Sequence, residues 1–289
     1  MTDLAISIRG LTKQYPGFTL GPIDLNVPCG SIVGFIGENG AGKSTTVRSM
    51  LDIVHPDAGT VLYFGQPLQG AGGDMRRYLG VVYDELYITP YFSAMDLGRI
   101  GQKTFDTWQM DAYRSYLKQF QLPEKQRVKE YSRGMKMKLQ MAYALSHQAR
   151  LLILDEPTSG LDPVVREEIL DLLLEFIQDD SHAVLISSHI LSDLEKVADY
   201  VAMIHGGRMV LYEDIVTLRD HYALYACTAE QAATLPQEAI MARRDNAYGV
   251  QLLVRKDRLP AGLALDRPSM EDIMLMLVKG GKSHEGVAV

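Results

Sequence analysis

Residues 37–45 read Gly-Glu-Asn-Gly-Ala-Gly-Lys-Ser-Thr, and the placing of the first glycine, the Gly-Lys pair and the hydroxyl is that of a phosphate-binding loop. Gly37, Gly40 and Gly42 let the backbone turn tightly enough to bring its N–H groups against phosphate oxygens, while the helix opening at Lys43 aims its positive dipole end at them. Lys43 supplies an ammonium for the β- and γ-phosphates and Ser44 a hydroxyl for magnesium; Glu38, Asn39, Ala41 and Thr45 complete the cradle. Such a loop takes a nucleoside triphosphate. A glycine-rich turn can also be no more than a tight connection. The apolar run 32–36 supplies the strand that a phosphate loop needs before it, and residues 43–53 supply the helix that it needs after it.

Three further groups suit the same chemistry. Leu151-Leu152-Ile153-Leu154-Asp155-Glu156 is an apolar strand that delivers two carboxylates to a sheet edge, where ligands of α/β proteins bind. Asp155 can anchor magnesium and Glu156 can polarise the water that attacks a γ-phosphate, since phosphoryl transfer is catalysed by positioning and charge neutralisation. His189 follows the apolar strand 183–186 and should emerge at the same edge, within reach of the γ-phosphate. Ser132 reads as the N-cap of a helix running to His147, and an exposed helix start with Ser132 and Gly134 at its head is a second anion site or simply a capped helix. With the triphosphate already held by the loop, the anion it serves would belong to a second copy.

These groups need a frame, and the pattern supplies one. Short apolar runs at 61–64, 79–83, 151–155, 183–187 and 201–204 alternate with helical stretches near 111–121, 136–147, 164–178 and 190–198. This predicts an α/β fold with a parallel core sheet buried on both faces. The chain has 289 residues, 47% of them hydrophobic, enough for one large domain and a small one. No apolar stretch approaches the ~20 residues that span a bilayer, and the first residues show no secretory signal, so the cytoplasmic side is expected. Cys29 and Cys227 are isolated, without zinc spacing, which suits a reducing compartment. A net charge of −7 disfavours a nucleic-acid partner.

Taken together and in this order, the segments resemble the ATP-binding subunit of ABC transporters. Residues 37–45 are similar to Walker A, 131–135 to the signature motif, 151–156 to Walker B, and Ser159-Gly160-Leu161-Asp162 to the D-loop, while His189 falls at the switch histidine. Tyr15 matches the adenine-stacking aromatic, though it could equally pack an edge strand. The resemblance covers residues 3 to about 215 and implies a P-loop NTPase fold with an antiparallel β subdomain and a helical subdomain near 86–148. It implies ATP and Mg2+ as ligands, with Asp162 among the nucleotide-binding residues, and two copies that sandwich two ATP molecules, each site joining one copy's Walker residues to the other's Ser132 and Gly134. The simplest assembly is a homodimer on membrane-spanning permease subunits at the cytoplasmic face of the membrane.

The chain departs from the family at two positions. Asp84 stands where the family has the Q-loop glutamine; a carboxylate can ligate magnesium but cannot donate as an amide does, and it can also be a plain solvated loop acid. Met135 replaces the signature glutamine and loses its amide. Both features resemble the ABC-2 exporter branch, which includes ATPases for bacitracin, other antimicrobial peptides and drugs. The resemblance implies that Tyr83, Tyr87, Ile88, Tyr91, Phe92 and Met95 line a groove for a permease helix, with Tyr87 and Phe92 in contact; packing within the helical subdomain is the other reading. A regulatory subunit of weak turnover and a relative acting on nucleic acid or ribosomes are the alternatives to an exporter. Residues 216–279 read as a small α+β module for dimerisation or regulation, its last helix capped by Ser269, and 280–289 as a disordered tail.

Overall fold

The computed structural model describes residues 3–70, 73–86, 89–246, 249–260 and 262–280. The N-terminal part is antiparallel: β1 (Leu4–Tyr15) pairs with β2 (Phe18–Pro28) on one side and β4 (Ala58–Tyr63) on the other, with the two-residue β5 (Gln66–Pro67) at the edge. Between them in sequence come β3 (Ser31–Ile36) and α1 (Lys43–Met50). Two more short strands, β6 (Gln69–Gly70) and β7 (Gly73–Asp74), pair with each other. The run at 61–64, read among the α/β strands, thus falls largely in β4 of the antiparallel sheet. The helix after the phosphate loop stops at Met50, and Asp52 beyond its cap has a φ of 57°.

The core sheet is six-stranded, in the order β12-β11-β3-β10-β9-β8, from β8 (Leu79–Val82), β9 (Leu151–Asp155), β10 (Ala183–Ser188), β11 (Tyr200–His205) and β12 (Arg208–Asp214). Only β12 runs antiparallel to its neighbour. Side chains alternate between two cores, as a pleated strand dictates. Val33, Phe35, Ile153 and Leu185 join α1 and the antiparallel sheet; Ile32, Leu152, Leu154, Val184 and Ile186 join the helices on the other face.

Those helices are α2 (Ala94–Thr104), α3 (Met110–Gln119), α4 (Arg133–Leu145), α5 (Pro163–Phe176) and α6 (Leu191–Val197). The pattern of the sequence does not show α2, because Gly98 and Gly101 dilute its helical signal. Both are small for packing reasons: an added Cβ would lie 2.7 Å from the Tyr113 ring at Gly98 and 2.4 Å from the Trp108 ring at Gly101.

Beyond α7 (Ile215–His221), the strands β13 (Tyr222–Cys227), β14 (Ile240–Asn246) and β15 (Gly249–Arg255) form a three-stranded antiparallel sheet in the order β13-β15-β14. It is accompanied by α8 (Ala229–Ala233) and α9 (Met270–Lys279). The last helix packs on this sheet and on α6, where the Met270 N–H donates to Glu195 at 3.0 Å and Ile273 and Met276 share a core with Leu194 and Val197. The C-terminal module therefore rests on the helix that follows His189. The tail read as disordered lies outside the described residues from 281 onward.

Ser269 and Asp272 cap α9 reciprocally, with Asp272 N–H donating to Ser269 Oγ at 3.1 Å and Ser269 N–H to the Asp272 carboxylate at 2.9 Å. Ser269→Ala should cost about 0.5–2 kcal/mol and lower the thermal midpoint by a few degrees in a circular-dichroism melt, without changing the far-UV spectrum at 20 °C.

Candidate nucleotide site

The parallel register sets Ile36 beside Ser188 and Asp155 beside Ser187, so the loop 37–45, His189 and Glu156 all leave the sheet at one edge. They line an open cleft of about 460 Å³ together with Phe18, Asp84 and Ser159. Glycine is needed at two points of the loop. A Cβ at Gly37 would lie 2.5 Å from the Ile204 carbonyl oxygen, and one at Gly42, whose φ is 115°, would lie 2.7 Å from Leu20 Cδ1.

Lys43 is buried, and its ammonium donates to the carbonyls of Gly37 at 2.7 Å and Glu38 at 3.4 Å while lying 3.4 Å from Glu156 Oε1. Glu38 reaches out of the loop to His205 Nδ1 at 2.9 Å. Ser44 and Thr45 face the cleft, and Ala41 is buried behind it.

Glu156 has a φ of 55°, left-handed backbone that a side-chain-bearing residue seldom adopts and that is found most often where surrounding contacts enforce it. Its N–H is held by Ser187, to the hydroxyl and the carbonyl, both at 3.1 Å. The sharp turn sends the carboxylate back into the cleft, where Oε2 pairs with His189 Nδ1 at 2.6 Å and accepts the His189 N–H at 3.3 Å. The Ser187 hydroxyl meanwhile donates to buried Asp155 at 2.6 Å, leaving the other carboxylate oxygen available. One serine thus orients both acids.

Glu38, Asp84, Asp155 and Glu156 outnumber Lys43, so a triphosphate needs further positive charge here. Among the described residues no group of three or more His, Cys, Asp or Glu side chains could hold a metal by itself. The hydroxyl of Ser44 and the carboxylates of Asp155 and Asp84 are hard oxygen donors, the set that suits magnesium when phosphate oxygens complete its shell.

Several residues singled out from sequence lie elsewhere. Ser132 caps α4 through Met135 N–H at 3.2 Å and is exposed; Gly134 sits against Val165; Asp162 caps α5 through the N–H groups of Val164 and Val165, both at 3.1 Å. None of the three lines the cleft. Tyr15 is 40% exposed, and the aromatic in the cleft is its hairpin partner Phe18. Two aromatics flank the Pro16-Gly17 turn, and sequence alone does not say which faces the ligand. Ser187 and Gln140 escaped sequence reasoning too; the visible signal for Ser187 was a hydroxyl on an otherwise apolar strand. Tyr87 and Ile88 lie outside the described residues, and Tyr91 and Phe92 are exposed.

The ABC transporter family model matches residues 20–159. The bacitracin transport ATP-binding protein BcrA of Bacillus licheniformis is 34% identical over 208 residues, covering 71% of this chain and 68% of its own. The chain belongs to the ABC transporter family. This ABC ATPase is also 32% identical over 212 residues to the lantibiotic transport ATP-binding protein SrtF of Streptococcus pyogenes, covering 72% of this chain and 90% of that one. A solved ATP-binding subunit of an ABC transporter superposes with a TM-score of 0.68 at 25% identity, covering 74% of this chain and 92% of its own. The fold is therefore that of the family's P-loop NTPase domain, and the chain is an ATP-binding subunit and an ATPase.

Hydrogen bonds to charged groups contribute about 1.5–3 kcal/mol. Ser187→Ala removes the donor to Asp155 and one of the two acceptors of Glu156 N–H, leaving only the carbonyl. It should lower kcat for ATP roughly 10–100-fold, with ATP affinity in the absence of divalent metal within about twofold of the parent, measured by steady-state ATPase assay and equilibrium binding of a fluorescent ATP analogue.

Proposed function

We propose that this ABC ATPase closes as a dimer on ATP and magnesium and drives export through separate membrane-spanning subunits, bound peripherally at the cytoplasmic face of the membrane. The observation that carries the dimer reading is the separation of Ser132 and Gly134 from the cleft: a triphosphate in the loop meets only half of its surroundings within one chain. The exposed cap at Ser132 and the exposed D-loop residues Gly160 and Asp162 are free to meet a second copy's phosphate loop.

In this reading Lys43 gives up the carbonyls of Gly37 and Glu38 for β- and γ-phosphate oxygens. Ser44, Asp155 and Asp84 would hold magnesium, which supplies charge neutralisation at the phosphates. Glu156, steered by Ser187 and His189, orients the attacking water, and His189 stands next to the γ-phosphate position. Aromatic stacking of the base falls to Phe18 or Tyr15. Export, rather than action on another partner, is supported by the relatives' transport of bacitracin and lantibiotic.

A cavity of about 730 Å³ between the core sheet and the helical layer, lined by Ile53, Arg77, Tyr83, Phe105, Tyr143 and His147, offers the seat for a permease segment. No helix among the described residues is long and apolar enough to cross a membrane.

Glu156→Gln should bind ATP, lose at least about 99% of its hydrolysis and sediment as a dimer with ATP but as a monomer with ADP. A hydrolysing Glu156→Gln protein, or one monomeric at saturating ATP, would overturn the assignment.

A further inference from the structure

Gln140 is a buried amide in the middle of α4, and both of its polar ends are spent on one residue of another element. Its Oε1 accepts the Tyr83 N–H at 3.2 Å and its Nε2 donates to the Tyr83 carbonyl at 3.0 Å. Tyr83 is the first residue past the last β8–β9 pair, Val82 with Leu154, and among the described residues β8 is the edge strand of its sheet. The side-chain amide therefore does what a further strand would do, pairing with both backbone groups of Tyr83. Only an amide of this length has donor and acceptor at the spacing required; Glu lacks the donor, Asn is a methylene short, and Met has neither.

The next residue is Asp84, which lines the nucleotide cleft. It is exposed, and among the described residues no hydrogen bond or ion pair anchors its side chain, so its placement depends on the backbone at Tyr83. Gln140 sits two helical turns along α4 from Ser132, about 12 Å at the rise of an α-helix, and a helix transmits displacement over that distance as a rigid element. Tyr83 and Tyr143 line the large cavity beside the sheet, and Gln140 joins them in lining a smaller one.

From this geometry we infer that Gln140 is a positioning residue for Asp84, holding that carboxylate at the metal side of the cleft and tying it to the helix that Ser132 begins. The inference rests on the reading of the cleft as a magnesium–ATP site with Asp84 toward the metal. It assigns to one side chain a mechanical link between the cleft and the helix presented to the second copy. A burial role alone would make Gln140 replaceable by any residue that leaves the fold intact; a positioning role makes its removal equivalent to removing Asp84.

The test is a double-mutant cycle read by binding. Mn2+ affinity of the ATP-loaded Glu156→Gln protein is measured by electron paramagnetic resonance, with hydrogen exchange of the peptide spanning residues 79–86 followed in parallel. Gln140→Met should weaken Mn2+ binding about tenfold, the lower range for loss of a group that orients a metal ligand, and speed exchange at Tyr83 and Asp84. Metal-free ATP affinity should stay within twofold. Gln140→Asn, which keeps the polarity but not the reach, should do the same in a protein whose thermal melt shows it folded. Asp84→Asn should give a similar loss, and the Asp84→Asn, Gln140→Met double variant should lose no more than Asp84→Asn alone. Unchanged Mn2+ affinity in the folded Gln140 variants, or full additivity in the double variant, would overturn the role of Gln140. Unchanged affinity in Asp84→Asn would instead remove Asp84 from the metal side, and this inference with it.

Discussion

The parallel register of three neighbouring strands is the constraint on which the rest depends. With Ile36 opposite Ser188 and Ser187 opposite Asp155, the glycine-rich loop, His189 and the acid pair have one sheet edge to share. The register is secured by apolar side chains on both faces of β3, β9 and β10, because a slip of one residue would turn each strand's two cores inside out. Once it is set, local chemistry finishes the site. Ser187 reaches sideways to Asp155 and Glu156, Glu156 bends back through its left-handed backbone, and His189 closes on it.

Electrostatics then bear on the proposal that the site is half a site. Four carboxylates and one buried ammonium cannot balance a triphosphate, and the ammonium is engaged by its own loop carbonyls and by Glu156. On the proposed function that charge comes from magnesium and from donors outside the chain, with the exposed helix start at Ser132 as their source. In the proposed dimer the ligand acts as a clamp between chains. The C-terminal module reaches the site's frame through α9, which packs on α6 directly after His189.

The strand, loop and helix around residues 37–45 were the most legible part of the sequence, because phosphate binding forces glycine, lysine and hydroxyl into one fixed spacing. Buried strands such as β9 and β10 were legible for a related reason: a continuous apolar run between polar ends has few other uses. Legibility fell where one signal served two purposes. The glycines of α2 make room for Tyr113 and Trp108 and so hide a helix. The strand β4 reads like a core strand but pairs in the antiparallel sheet, because pairing direction leaves no trace in a short apolar run. Ser187 and Gln140 act through the backbone or carboxylate of a residue distant in sequence, and no local pattern marks such a contact. The aromatic in the cleft was found on the other strand of the hairpin from Tyr15 for the same reason.

The central claim is that Ser132 of one copy lies against the phosphate loop of another when ATP is bound. Cysteines placed at Ser132 and Asn39 in the Glu156→Gln protein, treated with a short bifunctional thiol reagent, test it directly. The account predicts a cross-linked dimer with ATP and magnesium, none with ADP, and none when either introduced cysteine is absent. A monomer under all conditions, or a dimer indifferent to nucleotide, would contradict it.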